Sequence, residues 1–287
     1  MLMLSFNDLT VCGIIFLLTV AMMEIITNKK KFIKRYIPHY IALQKIHKGE
    51  VSRLGGLAML VSLATIFILL AEQEIKNMML LFLVAFLPLG LITLAEDFHK
   101  VIAPWIRLIV MFFSSCLILV ITDISLPLFD TPFLKSMLAD PLLRNIFYMF
   151  CLVTLMNGIN FVDGTNGNFA LMILSMMISL CFLATIVGDT QFIILLFLSG
   201  IPLIAFTLLN YPWGRIFAGD LGAYLYGALT GFFILFFFGR HSDISAWNVL
   251  LITFYPIIEV IFSSIRKLLK GKSPMLPDTS HLHIKIY

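Results

Sequence analysis

Four short polar clusters interrupt a chain that is otherwise almost wholly apolar. They are Glu96-Asp97, residues 157–167, residues 217–220 and residues 278–283. Carboxylates, amides and histidines are costly near lipid, so their concentration in a few short segments indicates a functional site. Acids, amides and bases together are the groups that Mg²⁺-assisted phosphoryl chemistry uses. We therefore expect an enzyme that works at a membrane surface.

The second cluster carries polar side chains at intervals of three residues. At helical spacing, Asn157, Asn160, Asp163 and Asn166 project from one face. Gly164 follows the carboxylate, and a glycine lets the backbone approach a ligand closely. A helix end capped by Asn and Gly would explain one or two of these residues but hardly the whole run. This segment is therefore predicted to bind a ligand.

The third cluster places Asp220 at the predicted start of a helix, with a glycine close on either side. Its carboxylate can coordinate Mg²⁺ while phosphate oxygens of a substrate fill other positions. Phe217 can offer a ring face to a nucleotide base. Two simpler interpretations stay open, namely Asp220 as a helix N-cap and Phe217 as an aromatic anchor at the membrane interface.

The adjacent carboxylates of Glu96 and Asp97 repel each other. Such a pair either binds a cation or contains one member with a raised pKa that suits proton transfer. Two solvated loop acids are the alternative. Because the loop is short and faces the other clusters, the functional interpretation is favoured.

Basic residues and histidines complete the set. In the first loop, His47, Lys48 and Arg53 can meet phosphates at a helix entrance, although charges that set membrane topology would explain part of this run. In the tail, His281 and His283 lack a third or fourth ligand at zinc spacing, so contacts to phosphate or sugar are expected instead.

A membrane bundle must position these clusters. Of 287 residues, 60% are hydrophobic and 13% charged, far outside the range of a soluble domain. Nine apolar runs approach the roughly 20 residues that cross the hydrocarbon, which predicts an all-α polytopic membrane helical bundle of about nine spans. The runs are Leu9–Ile26, Leu54–Ala71, Met78–Leu94, Trp105–Ile121, Ile146–Ile159, Leu171–Val187, Phe192–Leu209, Leu221–Phe238 and Val249–Ile265. With no repeat or linker, residues 1–287 are expected to form a single domain.

The distribution of Lys and Arg sets the orientation. If residues 27–53 are cytoplasmic, sixteen of the twenty basic residues lie on the cytoplasmic side, as the positive-inside rule requires. The remaining four are Lys76, Lys135, Arg144 and Arg240. All four polar clusters then share the cytoplasmic face, where they can form one pocket.

In this order, the clusters resemble those of the polyprenyl-phosphate N-acetylhexosamine-1-phosphate transferases of glycosyltransferase family 4. The similarity runs from Gln44 to His283 and is greater to the branch that initiates surface glycans than to the related phospho-N-acetylmuramoyl-pentapeptide transferase. The family's Asn-x-x-Asn-x-x-Asp-Gly-x-Asp-Gly and Phe-x-Gly-Asp motifs match Asn157, Asn160, Asp163, Asn166, Phe217, Gly219 and Asp220.

The resemblance implies a reaction, the transfer of a sugar 1-phosphate from a UDP-sugar to a polyprenyl phosphate, with Mg²⁺ and release of UMP. For this chain it implies an N-acetylhexosamine donor or a derivative, an undecaprenyl phosphate acceptor among membrane lipids, and no nucleic acid partner. It further implies a multi-pass protein of the bacterial inner membrane, with a cytoplasmic active site, that begins a glycan such as the O-antigen of lipopolysaccharide. Mn²⁺ in place of Mg²⁺ and a homodimer are compatible with it.

The resemblance also assigns roles to residues of the second and third clusters. It implies Asp220 as the main Mg²⁺ ligand with Asn160 nearby, and Phe217 against the uracil. Asp163 and Gly164 would lie near the nucleotide.

For the acid pair, the resemblance implies that Asp97, beside Glu96, deprotonates or orients the lipid phosphate. Arg107 is similar to the basic residue that follows this pair in the family. His281 and His283 match a histidine-rich loop near the sugar phosphate.

The chain also departs from the family pattern. Glu96 and Asn166 each replace an Asp, and the chain stops at Tyr287 where relatives continue through a further helix, so the resemblance implies a truncated C-terminus. A transporter and an inactive scaffold that keeps the transferase fold are the alternative functions. A transporter usually holds its ionisable groups near the bilayer midplane, whereas here most of the acids lie in loops or at helix ends.

Overall fold

The computed structural model describes residues 5–28, 51–99 and 102–271. The predicted site residues His47, Lys48, His281 and His283 lie outside these ranges. Within the ranges, the backbone forms eleven helices. They are α1 (Phe6–Asn28), α2 (Gly55–Leu70), α3 (Gln73–His99), α4 (Pro104–Thr122), α5 (Pro132–Ala139), α6 (Pro141–Val162), α7 (Asn168–Val187), α8 (Thr190–Asn210), α9 (Gly219–Arg240), α10 (Asn248–Ile252) and α11 (Phe254–Leu269).

Seven of these helices, α1, α3, α4 and α6 to α9, are long and apolar enough to cross a membrane, and α2 is a shorter apolar helix. The predicted all-α membrane bundle is therefore confirmed, whereas the described residues do not establish nine spans. The last predicted run is divided, because α10 ends at Ile252 and α11 begins at Phe254. Pro256 explains this break, since its ring disfavours a helix that continues through it but is tolerated in a first turn.

The last helix, α11, turns its polar residues inward against α6. Glu259 and Lys267 are each only 6% exposed, and Ser263 is buried as well. On the outer face, Phe262 and Leu269 are exposed. A helix on a water-soluble protein shows the opposite pattern, with its apolar stripe facing the core. The outer face of α11 is therefore suited to contact with lipid.

Helix α9 lies at the centre of the bundle, and 94% of its apolar stretch is buried. It packs against α2, α3, α6 and α7. A Cβ on Gly56 of α2 would lie 2.2 Å from the amide nitrogen of Gly222 in α9, so the two backbones are in direct contact there. This close approach brings the beginnings of α2 and α9 to the same end of the bundle.

The segments that precede α2 and α9 are joined by backbone hydrogen bonds. The N–H of Phe217 donates to the carbonyl of Ser52 (2.8 Å), and the N–H of Gly55 donates to the carbonyl of Phe217 (3.0 Å). One N–H group at the start of α2, which has no partner inside the helix, thus donates to the segment before α9. As a result, Arg53 is held beside the first turn of α9.

Candidate active site

Helix ends bring charged side chains together at one end of the bundle. We call this group the acidic cluster, and it comprises four carboxylates and two guanidiniums: Glu96, Asp97, Asp163, Asp220, Arg53 and Arg107. Its members come from the segment before α2, the end of α3, the start of α4, the end of α6 and the start of α9. Three of the four clusters predicted from the sequence therefore meet, and the fourth, residues 278–283, lies outside the described ranges.

Asp220 is the hub of the acidic cluster. Its Oδ1 accepts hydrogen bonds from Arg53 Nη2 (2.9 Å) and Asn160 Nδ2 (3.2 Å). Its Oδ2 lies 3.6 Å from Arg107 Nη1. The first turn of a helix favours a negative charge, because the unpaired N–H groups point toward it. Asp220 thus links four separate segments through one carboxylate.

Arg107 connects Asp220 to the acid pair. Its Nη1 donates to Glu96 Oε1 at 2.8 Å, and its guanidinium lies over the ring of Tyr224, 5.7 Å from the centroid. The second oxygen, Glu96 Oε2, is buried and has no hydrogen-bond partner among the described residues. An unpaired buried carboxylate oxygen is costly, so this atom marks a place for a cation or a hydrogen-bond donor.

Asp97 points away from solvent into the start of α9. The backbone N–H of Asp220 donates to Asp97 Oδ1 and that of Leu221 donates to Oδ2, both at 3.0 Å. Arg53 Nε lies 3.7 Å from Oδ1, and the Asp97 side chain is 1% exposed. Its carboxylate therefore caps a helix that begins more than a hundred residues later in the chain.

Asp163 and Arg53 show the electrostatic balance of the cluster. Burial raises the pKa of Asp163 to about 7; the charge of Asp220 adds to this rise, while Arg53 and the N–H of Gly219 oppose it. The Asp220 carboxylate raises the pKa of Arg53, and Asp97 and Asp163 add to that rise. Arg53 is therefore held as a cation at any physiological pH.

Other predicted residues make their hydrogen bonds elsewhere. Asn157, one turn deeper in α6 than Asn160, donates to the carbonyl of Val153 (2.9 Å) and contacts Met111 Sδ (3.8 Å). Asn166 donates to the carbonyl of Pro212 (2.8 Å). The amides predicted on one face are thus divided between a helix interior, the acidic cluster and a contact between two loops.

The remaining two predicted residues have well-defined backbone positions. The N–H of Gly164 donates to the carbonyl of Val162 (2.8 Å) in the turn that ends α6. Phe217 lies in the segment bonded to residues 52–55, directly before α9. Both border the acidic cluster, and their predicted contacts with a nucleotide stay predictions.

Asn210, the last residue of α8, is a structural residue that was not predicted from the sequence. Its Oδ1 accepts from the N–H of Gly167 (2.6 Å) and its Nδ2 donates to the carbonyl of Ile216 (2.8 Å). The residue is 2% exposed. It therefore fastens the loop after α6 to the segment before α9. A single Asn at a helix end is a common cap, so the sequence carried no stronger signal for this role.

The donor atoms of the cluster suit Mg²⁺. Carboxylate and amide oxygens are its usual protein ligands, and it is commonly held by one or two carboxylates together with water and substrate phosphates. Asp220, the side-chain oxygen of Asn160 and the unpaired Glu96 Oε2 fit that description. Among the described residues, no three His, Cys, Asp or Glu side chains could hold a metal by themselves. The cluster thus fits an ion shared with a substrate and not a closed structural site.

An acidic cluster at one end of a membrane bundle is compatible with a membrane-embedded enzyme, and comparison with known families gives the family. Residues 78–238, more than half of the chain, match glycosyl transferase family 4. The chain therefore belongs to this family. The matching region contains every member of the acidic cluster except Arg53.

Two relatives are similar over most of the chain. One is the probable undecaprenyl-phosphate N-acetylglucosaminyl 1-phosphate transferase of Bacillus subtilis (strain 168), 22% identical over 246 residues that cover 85% of this chain and 67% of that protein. The other is the undecaprenyl-phosphate alpha-N-acetylglucosaminyl 1-phosphate transferase of Thermotoga maritima, 26% identical over 242 residues, or 84% and 69% of the two chains.

Proposed function

We propose that this protein transfers a sugar 1-phosphate from a UDP-sugar to undecaprenyl phosphate and releases UMP. It would be a phosphotransferase for substituted phosphate groups, at the cytoplasmic face of the bacterial inner membrane. The observation that carries the proposal is the convergence of Asp220, Asn160, Glu96 and two arginines at one end of an apolar bundle. The names of the two relatives support the acceptor and suggest N-acetylglucosamine as the sugar. The product would begin a cell-surface glycan.

Charge balance supports a divalent cation at this site. Four carboxylates and two guanidiniums leave an excess of two negative charges when all are ionised. Two anionic substrates would be repelled by such a site. We propose that Asp220, Asn160 and Glu96 hold Mg²⁺, or Mn²⁺ in its place. When bound, the ion would neutralise charge on the diphosphate of the donor.

The two arginines would bind phosphate groups. A guanidinium presents paired N–H donors that match phosphate oxygens. The Arg53 side chain is 37% exposed and that of Arg107 is 22% exposed, so both can reach a substrate. Their present contacts with Asp220 and Glu96 place them within the same small volume. They would therefore orient the donor diphosphate and the acceptor phosphate toward each other.

The transfer itself is a displacement at phosphorus. An oxygen of the lipid phosphate forms a bond to the β-phosphorus of the donor, the bond from that phosphorus to the UMP oxygen breaks, and UMP leaves with the electron pair. A phosphate monoester loses its second proton near pH 6, so the attacking oxygen is largely deprotonated at neutral pH. The acceptor's hydrocarbon tail stays in the bilayer, against the apolar outer faces of the helices.

The proposal is tested with membranes that contain the protein, labelled UDP-sugars and undecaprenyl phosphate. We expect release of UMP and a labelled lipid only when the acceptor and a divalent cation are both present. Asp220→Ala should abolish both products, whereas Asp243→Ala, which changes an exposed carboxylate, should leave them intact. Uptake of a UDP-sugar into proteoliposomes without acceptor would instead favour the transporter. Absence of UMP release with every donor would contradict the proposal.

A further inference from the structure

The start of α9 receives its cap from another helix. The first N–H groups of a helix lack partners inside the helix, and the residue just before the first turn usually supplies one from its side chain. Here that residue is Ala218, which makes no side-chain cap. The N–H groups of Asp220 and Leu221 instead donate to the two oxygens of Asp97, in the last turn of α3.

Gly219 makes this approach of α3 to α9 feasible. Its φ is +70°, in the left-handed region that side chains rarely adopt. A Cβ at this position would lie 2.7 and 2.8 Å from the carboxylate oxygens of Asp97 and 2.1 Å from the carbonyl oxygen of Arg53. Two successive N–H groups are therefore held by the one carboxylate of Asp97.

The arrangement limits what Asp97 can do in a reaction. A proton acceptor must come within about 2.6–3.2 Å of the proton's parent atom, with an oxygen free to accept it. Both oxygens of Asp97 already accept backbone hydrogen bonds, and the side chain is 1% exposed. The lipid phosphate also needs little help, because it is largely deprotonated at neutral pH. A carboxylate buried against backbone N–H groups is thus shielded from a substrate proton, and the reaction has little need of such a transfer.

We infer that Asp97 is a positioning residue, which anchors the first turn of α9 and thereby fixes Asp220 among Arg53, Arg107 and Asn160. This inference rests on the proposed transferase function for the meaning of Asp220. It assigns Asp97 a different role from the two that the resemblance implied, which were to deprotonate or to orient the lipid phosphate. The N–H groups of Asp220 and Leu221 at the start of α9 are also occupied by Asp97, so substrate phosphates would bind to the arginines and the cation instead.

Two substitutions at position 97 distinguish the roles by the order of their activities. Asp97→Asn keeps the length and one accepting oxygen, so we expect a loss of about tenfold in kcat, as for a weakened cap. Asp97→Glu keeps an acid but adds a methylene where Gly219 already leaves no room, so we expect a loss of about 100-fold. A proton acceptor predicts the reverse order, with Asp97→Asn losing about 100-fold or more. That reverse order would overturn the inference.

A second measurement is independent of transferase activity. In hydrogen exchange followed by mass spectrometry, a peptide containing Asp220 and Leu221 should exchange at least about tenfold faster in Asp97→Ala than in the wild type, because its N–H groups lose their acceptors. A peptide from the middle of α7 serves as the folding control and should be unchanged. Equal exchange at residues 220–221 would overturn the inference even in an active enzyme. If the wild type releases no UMP, the proposed function fails while this result still reports on the cap.

Discussion

The two ends of α9 both carry charged residues, but in different balance. At the end opposite the acidic cluster, the single carboxylate of Asp189 accepts from the N–H of Phe192 (3.1 Å) and lies close to two bases. Its Oδ2 is 2.9 Å from His241 Nε2 and 3.6 Å from Arg240 Nη2. Both oxygens of Asp189 therefore have partners, and two basic side chains lie beside this carboxylate. At this end, Asp189 thus connects the start of α8 to the end of α9.

The acidic cluster differs from this end in its balance of charges and in the hydrogen bonding of its buried polar atoms. It holds four carboxylates against two guanidiniums, and Glu96 Oε2 has no hydrogen-bond partner among the described residues. Such an excess of negative charge is unfavourable for stability alone, since unpaired buried charges are costly. A candidate site is thus distinguished by the groups that it leaves without partners, and not by the number of its charged residues.

The largest effect is expected from a pair of variants, each of which replaces one arginine by alanine, one at each end of α9. Arg107→Ala removes the cation between Glu96 and Asp220, and transfer should fall by about 100-fold or more. Arg240→Ala removes a partly exposed cation near Asp189 and should change the free energy of unfolding by about 1 kcal/mol or less, with transfer nearly unchanged. Rates of UMP release and thermal unfolding in detergent measure both effects. Equal losses of activity would remove the distinction between the ends.

A matched pair of glycines tests how tightly the cluster is packed. Gly219 and Gly188 have nearly the same φ, +70° and +73°, but nothing lies within 4 Å of a Cβ at Gly188. Gly188→Ala should therefore reduce the free energy of unfolding by about 1 kcal/mol, because of the left-handed backbone conformation alone. Gly219→Ala adds steric overlap with Asp97 and Arg53. It should reduce the free energy of unfolding by about 3 kcal/mol in total, and transferase activity should fall strongly. Similar stabilities of the two variants would show that the contact at Gly219 relaxes freely.

Asn210 permits a comparison of a buried and an exposed amide. Asn210→Ala leaves a buried N–H and a buried carbonyl without partners and should reduce the free energy of unfolding by about 2–3 kcal/mol. Asn77→Ala removes an exposed amide that accepts from Gln73 and should change it by less than about 0.5 kcal/mol. Thermal unfolding of both variants measures the difference. A silent Asn210→Ala would mean that the two loops are held by other contacts.

The last prediction concerns pH. The pKa of Asp163 is raised from 3.8 to about 7, so between these values the folded protein binds more protons at this site than the unfolded chain. The contribution of Asp163 to stability is therefore greatest at low pH and declines as pH rises from about 4 to 7. Asp163→Asn removes this decline, so its stability relative to the wild type should increase from pH 5 to pH 8. Thermal unfolding across this range provides the check, and parallel curves would contradict the raised pKa.

The class of molecule and much of the candidate site could be predicted from the amino-acid order alone. Apolar runs near the length of a membrane span leave helices as the structure that satisfies the backbone in lipid. Polar residues are few in such a chain, so Glu96, Asn160 and Asp220 could be singled out without coordinates, and the family resemblance added Arg107. The same argument failed for Asn210, because one amide at a helix end has an ordinary explanation.

The contacts of the individual groups, by contrast, depend on how the helices pack against one another. Asp97 and Asp220 are 123 positions apart, and their contact depends on how α3 packs against α9, at a point where a glycine removes the obstacle. The unpaired oxygen of Glu96 depends on packing in the same way, whereas Pro256 was a signal in the sequence for the break between α10 and α11. Periodicity and composition report on each helix separately, whereas hydrogen bonds between distant segments depend on the relative position of several helices at once. That is why the sequence could name the candidate residues, while the structure was needed to show which of them lie in the acidic cluster and which one caps the start of α9.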